Sequence, residues 1–219
     1  MTAPRLPAAL LALTPGDLEP SSCEAFAHRA SRATSAGLEA LLVREPDLSD
    51  RATLDLARLL RRVLPASTWI GVHDRAYLAA AAALDGVHLG FRSLVPREAR
   101  AILPPSVVVG FSAHEGDAAD ADAARRGAAD YLLFGPVLET ASKRGWKDPV
   151  GFDGLRAACA ATATPIWGIG GMRPEHFARA CECGARGIAV RGGIFGAADP
   201  AAACERYVDA LRSSGRPVR

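Results

Sequence analysis

Eight short apolar runs recur along the 219-residue chain, and their regular spacing constrains the fold more than any other feature. They are "LLALTP" (10–15), "LEALLV" (38–43), "TWIGVH" (68–73), "GVHLG" (86–90), "SVVVGFS" (106–112), "DYLLFG" (130–135), "PIWGIGG" (165–171) and "GIAVRGG" (187–193). Helical patterns lie between them, at 50–64, at "AARRGAADY" (123–131) and at 174–184, the last opening with Pro and closing with Gly. Near-continuous apolar strands alternating with helices are the pattern of a parallel sheet covered on both faces. Eight such units, roughly 20–25 residues apart, match a single (β/α)8 TIM barrel over residues 1–219. A doubly wound sheet is the competing arrangement. It has fewer strands and carries its glycines in the first strand–helix turn, whereas here the glycine-rich turns come last.

Composition narrows the function classes. The net charge is only +2, and the 26 basic residues are scattered, which argues against a nucleic-acid or membrane surface. No apolar run reaches the roughly 18–20 residues that span a bilayer. The start, "MTAPRLPAALLALTPGD", reads as a first strand and its loop rather than as a signal segment. The five cysteines are an odd set on helix-like segments and imply no disulfide framework; Cys181 and Cys183 lack the spacing of a zinc knuckle. A cytoplasmic protein acting on a small molecule is expected, and homo-oligomerisation stays open.

A barrel places its active site at the C-terminal strand ends, so the strand list becomes a site list. It supplies Arg44 and Glu45, His73 and Asp74, Ser112 and His114, the loop 136–149, Gly170-Gly171, and Arg191-Gly192-Gly193. Glycines directly after the last two strands let backbone amides approach an anion, at the place where barrels commonly bind phosphate. The stretch "DYLLFGPVLETASKRGWKDP" (130–149) follows a buried strand with hydroxyls and cations, as a phosphate-facing loop does.

The segments "AADYLLFGPVLETASKRG", "PIWGIGGM" and "GARGIAVRGGIFGAADP" resemble the thiamine phosphate synthase/TenI superfamily. Upstream, "LLVREPDLS" and "DGVHLGFRSL" extend the likeness, which covers residues 37–200 in unbroken order. The resemblance implies a (β/α)8 barrel that handles a phosphorylated thiazole. It assigns Thr140, Ala141 and Ser142 to the thiazole phosphate, with Gly170, Gly171, Arg191, Gly192 and Gly193 closing the cup. It places Arg44, Ser112 and Lys143 on the pyrophosphate side of a synthase, and Asp74 as that synthase's metal ligand. The partner implied is a phosphorylated thiazole; no cofactor is expected, and Mg²⁺ only for a synthase.

Departures from the synthase pattern then steer the reading. The Q-x-R-x-K pattern reads Leu42, Arg44 and Pro46; the Asn-Asp pair reads His73-Asp74; a second metal aspartate reads Ser93. Serine there is what TenI-type proteins show, although their tautomerase histidine is Pro136 here. The expectation is therefore a TenI-like thiazole tautomerase with weak or absent synthase activity. Its proton transfer falls to His73, Asp74, Arg44, Glu45 and His114 as catalytic candidates, His73 foremost. Glu45 also reads as mere support for Arg44. The alternatives are thiamine phosphate synthase itself and a non-catalytic thiazole phosphate binder. His88 and His28 read as structural, Trp167 as barrel filling, and Trp146 either as a ring cover or as packing for its own loop, 136–149. Valine at Gly171 is expected to abolish binding of the thiazole phosphate with little loss of stability, provided that this glycine lies at negative φ.

Overall fold

The computed structural model describes residues 5–90, 93–114, 128–140 and 148–215. Its strands are β1 (Leu10–Leu13), β2 (Ala40–Val43), β3 (Trp69–His73), β4 (Gly86–Leu89), β5 (Val108–Ala113), β6 (Tyr131–Phe134), β7 (Ile166–Ile169) and β8 (Gly187–Val190). All neighbours pair in parallel and in sequence order, and β1 pairs with β8 to close the barrel. The (β/α)8 TIM barrel is the observed fold. The helices outside it are α1 (Cys23–Ser35), α2 (Asp50–Val63), α3 (Ala76–Ala81), α4 (Pro96–Ile102), α5 (Gly151–Ala160), α6 (Phe177–Glu182), α7 (Gly192–Phe195) and α8 (Pro200–Ser213).

Alternation along each short strand produces two cores. Leu41, Ile70, Val87, Val109 and Leu132 face outward and pack against the helices. Leu11, Leu42, Trp69, Tyr131 and Trp167 fill the barrel interior. Space for Trp69 comes from Gly71 and Gly86, where a Cβ would lie 2.4 and 2.5 Å from the indole carbons. Neither site has room for alanine.

The N-terminal end of the barrel is closed and cross-linked. The indole N–H groups of Trp69 and Trp167 donate to the carbonyls of Arg5 and Ala8, at 2.9 Å each. Asp85, just before β4, accepts from the Ile70 amide at 2.8 Å and from Arg61 at 2.6 Å. Asp130, just before β6, accepts from the Val109 amide at 2.7 Å and from Arg100. Each aspartate thus ties its own strand to a neighbouring one and to a helix.

Several sequence-based boundaries shift. The run 165–171 leaves extended geometry after Ile169, because Gly170 and Gly171 sit at φ +95° and +66°. The run 187–193 ends at Val190, because Gly192 begins α7. The helix expected over 174–184 starts as a 3-10 turn, Pro174–His176, before α6. Of the helical pattern at 123–131, residues 123–127 lie outside the described residues, 128–130 are not helical, and Tyr131 begins β6. All five cysteines are free. Among the described residues no helix is long and apolar enough to cross a membrane.

Candidate active site

A cavity of about 830 Å³ opens at the C-terminal strand ends. Arg44, Asp74, Ser112, Thr140, Gly171 and Arg191 all line it, so six of the strand ends and loops chosen from sequence meet in one space.

On the β3–β4 side, Asp74 is the best-held group. Its backbone lies at φ +65°, a left-handed conformation that aspartate tolerates better than most residues. The Asp74 amide donates to the His88 carbonyl at 2.9 Å. Its Oδ1 accepts from the Gly90 amide at 2.7 Å and from the Ser93 hydroxyl, and its Oδ2 from His73 Nδ1 at 3.1 Å. Burial pushes this carboxyl's pKa up, but the hydrogen bond and charge of His73, with Ser93 and the Gly90 amide, outweigh it. The pKa is held well below the ordinary carboxylate range.

His88, taken from sequence as structural, lines the same cavity. Fully buried, its Nε2 lies 3.0 Å from Ser112 Oγ. Burial, then the nearby His73 charge, lower its pKa well below the usual imidazole value, so it is neutral. Alternation puts His88 on the same face as Gly86, and its register with Gly110, which the structure shows, makes that face the interior one.

On the β1–β2 side, the Arg44 amide donates to Thr14 Oγ1 at 2.8 Å while its side chain turns to the cavity. Burial, then the like charge of Arg191, lowers the pKa of its guanidinium. Glu45 corrects the sequence reading. It is 4% exposed and absent from the cavity wall. Its two oxygens accept from the amides of Gly16 at 2.9 Å and Leu18 at 2.8 Å. Its carboxylate fastens the loop after β1 and has no path to a substrate proton.

On the β7–β8 side, the loop after β6 runs against the loop after β7, with Val137 N to Ile169 O at 2.8 Å and Leu138 N to Gly170 O at 3.0 Å. A Cβ on Gly171 would meet Glu139 O at 2.6 Å and Leu138 Cβ at 2.7 Å. The condition of negative φ at Gly171 is not met, since it lies at φ +66°, and valine there would force the two loops apart. Tyr207 of α8 donates to the Met172 carbonyl at 3.0 Å, and its oxygen lies 2.1 Å from where a Cβ on Gly193 would stand. Gly192 is different, since a Cβ there meets nothing within 4 Å. His114 also faces the cavity, with Nδ1 2.6 Å from the Gly135 carbonyl. Ala141, Ser142, Lys143 and Trp146 lie outside the described residues.

Residues 12–194 match the family model described as thiamine monophosphate synthase. The chain belongs to that family. The thiamine-phosphate synthase of Moorella thermoacetica is 39% identical over 187 residues, covering 84% of this chain and 88% of the relative. That of Koribacter versatilis is 34% identical over 192 residues, covering 88% and 89%. Among solved structures, thiamine phosphate pyrophosphorylase from Pyrococcus furiosus superposes with a TM-score of 0.79 at 26% identity, covering 94% of this chain and 96% of that one.

These relatives overturn the TenI-like tautomerase reading. They carry the name of the synthase, and they indicate a transferase. The expectation of weak synthase activity loses its ground with it. Two of the departures behind that reading have plain structural accounts. Leu42 is fully buried among the interior side chains, so its position is one of packing. Ser93 keeps an oxygen beside Asp74, where the expected aspartate would have stood.

Proposed function

We propose that this protein is a thiamine-phosphate synthase, joining a phosphorylated thiazole to a pyrimidine carried on a diphosphate. The supporting observation is that one cavity is lined by two groups of residues suited to anions, which meet where Arg44 and Arg191 approach Gly16. Gly170, Gly171, Arg191 and Gly192 form one group, and Arg44, Asp74 and Ser112 form the other. Thr140, with Ala141 and Ser142, would close the phosphate end, and Lys143 would add a cation at the diphosphate end.

The transfer explains why no acid–base pair is needed. The thiazole nitrogen gives its lone pair to the pyrimidine methylene carbon, forming a C–N bond. The C–O bond to diphosphate breaks, and its electrons leave with the diphosphate. No proton moves, so Pro136 costs this reaction nothing. The residues instead answer developing charge. Arg44 stabilises the departing anion. His88, kept neutral, adds no positive charge beside a methylene that becomes electron-poor, and it holds the Ser112 hydroxyl. His73 serves here by holding Asp74.

Synthase chemistry implies Mg²⁺, and the residues fit a site shared with substrate. Among the described residues no three His, Cys, Asp or Glu side chains gather as a dedicated cage. Mg²⁺ is commonly held by one or two carboxylates together with substrate phosphates. Asp74, with Ser93 beside it, would hold the ion against the diphosphate, and when bound it would neutralise charge on that leaving group. The test is a coupled assay with thiazole phosphate, pyrimidine diphosphate and Mg²⁺. Formation of thiamine phosphate with release of one diphosphate is expected; no turnover above the protein-free rate overturns the reading.

A further inference from the structure

Two guanidiniums converge on one gap at the cavity rim. Arg44, after β2, brings Nη1 to 3.5 Å from the point where a Cβ on Gly16 would stand. Arg191, after β8, brings its own Nη1 to 3.8 Å from the same point. Gly16 lies in the loop after β1, between these two strands, at φ +96°, where L side chains are rarely tolerated. The loop is fixed there by the Glu45 carboxylate through the Gly16 and Leu18 amides. A bare glycine, clamped in place, thus keeps the gap between two cations open.

Like charges held this close repel, and Arg44 is half-buried, which makes the arrangement costly without a counter-charge. Among the described residues neither guanidinium has an ion pair or a side-chain hydrogen bond. Asp74 and Glu45 offset part of this through their charge alone, since neither forms an ion pair with Arg44 and both Glu45 oxygens accept from backbone amides. A small polyanion is the chemistry that completes such a pair, because two forked donors match several phosphoryl oxygens at once.

We infer that Arg44 and Arg191 act as one clamp that inorganic diphosphate spans, so that the released product competes with the thiazole phosphate as well as with the pyrimidine diphosphate. This rests on the synthase reading for its kinetic half only; binding of diphosphate itself requires no turnover. The clamp reaches across β1, from the strand end that serves the pyrimidine side to the one that serves the thiazole phosphate.

The test is titration calorimetry of inorganic diphosphate, and separately of inorganic phosphate, into the full-length protein and its Arg44→Gln, Arg191→Gln and double variants. Thermal melts confirm that each variant is folded. Each single replacement should weaken diphosphate binding by about 10-fold or more. The double variant should be little weaker than either single one, because a spanning ligand loses its bridge at the first cut. Inorganic phosphate should bind more weakly and lose less. In steady state, diphosphate should be competitive against both substrates. Unchanged diphosphate affinity in Arg191→Gln, or strictly additive losses, would overturn the clamp and leave the synthase reading intact. Absence of turnover in the wild-type protein would remove the synthase reading, while the calorimetry would still decide the clamp.

Discussion

At the N-terminal end of the barrel, Arg61 and Arg5 both reach Asp85, and Arg100 reaches Asp130. At the C-terminal end, Arg44 and Arg191 face each other across Gly16 with no carboxylate paired to either among the described residues. The same side chain therefore does opposite work at the two ends. Paired with aspartate below, it is a cross-link, because each aspartate also accepts a backbone amide from a neighbouring strand. Without an ion-pair partner among the described residues above, it sits in an arrangement that a bound anion relieves. Stability is concentrated at one end and binding strain at the other, which is the usual separation in barrels whose loops carry function.

Substitutions at the two ends should separate these roles. The largest effect is expected from Arg44→Gln, which should lower kcat/KM in the synthase assay by about 10²–10³-fold. Urea unfolding should show its stability unchanged or raised; a clear loss of stability would mean that Arg44 is a structural tie like Arg61. Asp85→Ala should do the reverse. It leaves the Ile70 amide without its side-chain acceptor and Arg61 without its carboxylate, and should cost about 2–3 kcal/mol in the same urea experiment. Its turnover per folded molecule should match the wild type.

Gly192→Val places a branched side chain in open space at the cavity edge and should weaken thiazole phosphate binding by about 10-fold, read by calorimetry. Unlike valine at Gly171, it displaces no neighbouring loop, so the melting temperature should hold. The smallest effect concerns acid. The Asp74 carboxyl titrates below its ordinary value of 3.8 in the folded protein, so its stabilising contribution is present above about pH 4 and fades as pH falls through the depressed value. Asp74→Asn removes that contribution. Its melting temperature should fall less steeply than the wild type's between about pH 4 and pH 2. The difference should be modest, because the side chain is 45% exposed.

Much of the fold was legible because barrel strands buried on both faces announce themselves as apolar runs, and spacing alone counts them. The convergence of Gly170-Gly171 with Arg191-Gly192 was legible for a related reason: in a closed barrel, the last two strand ends must be neighbours. Side-chain direction was not legible at strand ends. Glu45 and Arg44 are adjacent, yet one turns into the β1 loop and the other into the cavity, a choice made by the Gly16 and Leu18 amides. His88 was passed over because "VHLG" reads as uniformly buried, and only the register with Gly110 shows which face is inward. The exact reaction was misread from sequence because substitutions at Leu42 and Ser93 looked like lost chemistry. In three dimensions one is a packing position, and the other keeps its oxygen against Asp74.

The indole contacts that seal the barrel's lower end have a kinetic consequence. With Trp69 and Trp167 anchored to the carbonyls of Arg5 and Ala8, the barrel interior below the cavity is filled by side chains, and the cavity opens at the C-terminal strand ends. Under the synthase reading, diphosphate must depart through the opening by which the next pyrimidine arrives. A diphosphate still held by Arg44 and Arg191 then delays the next pyrimidine, so a longer residence of the outgoing anion slows the cycle.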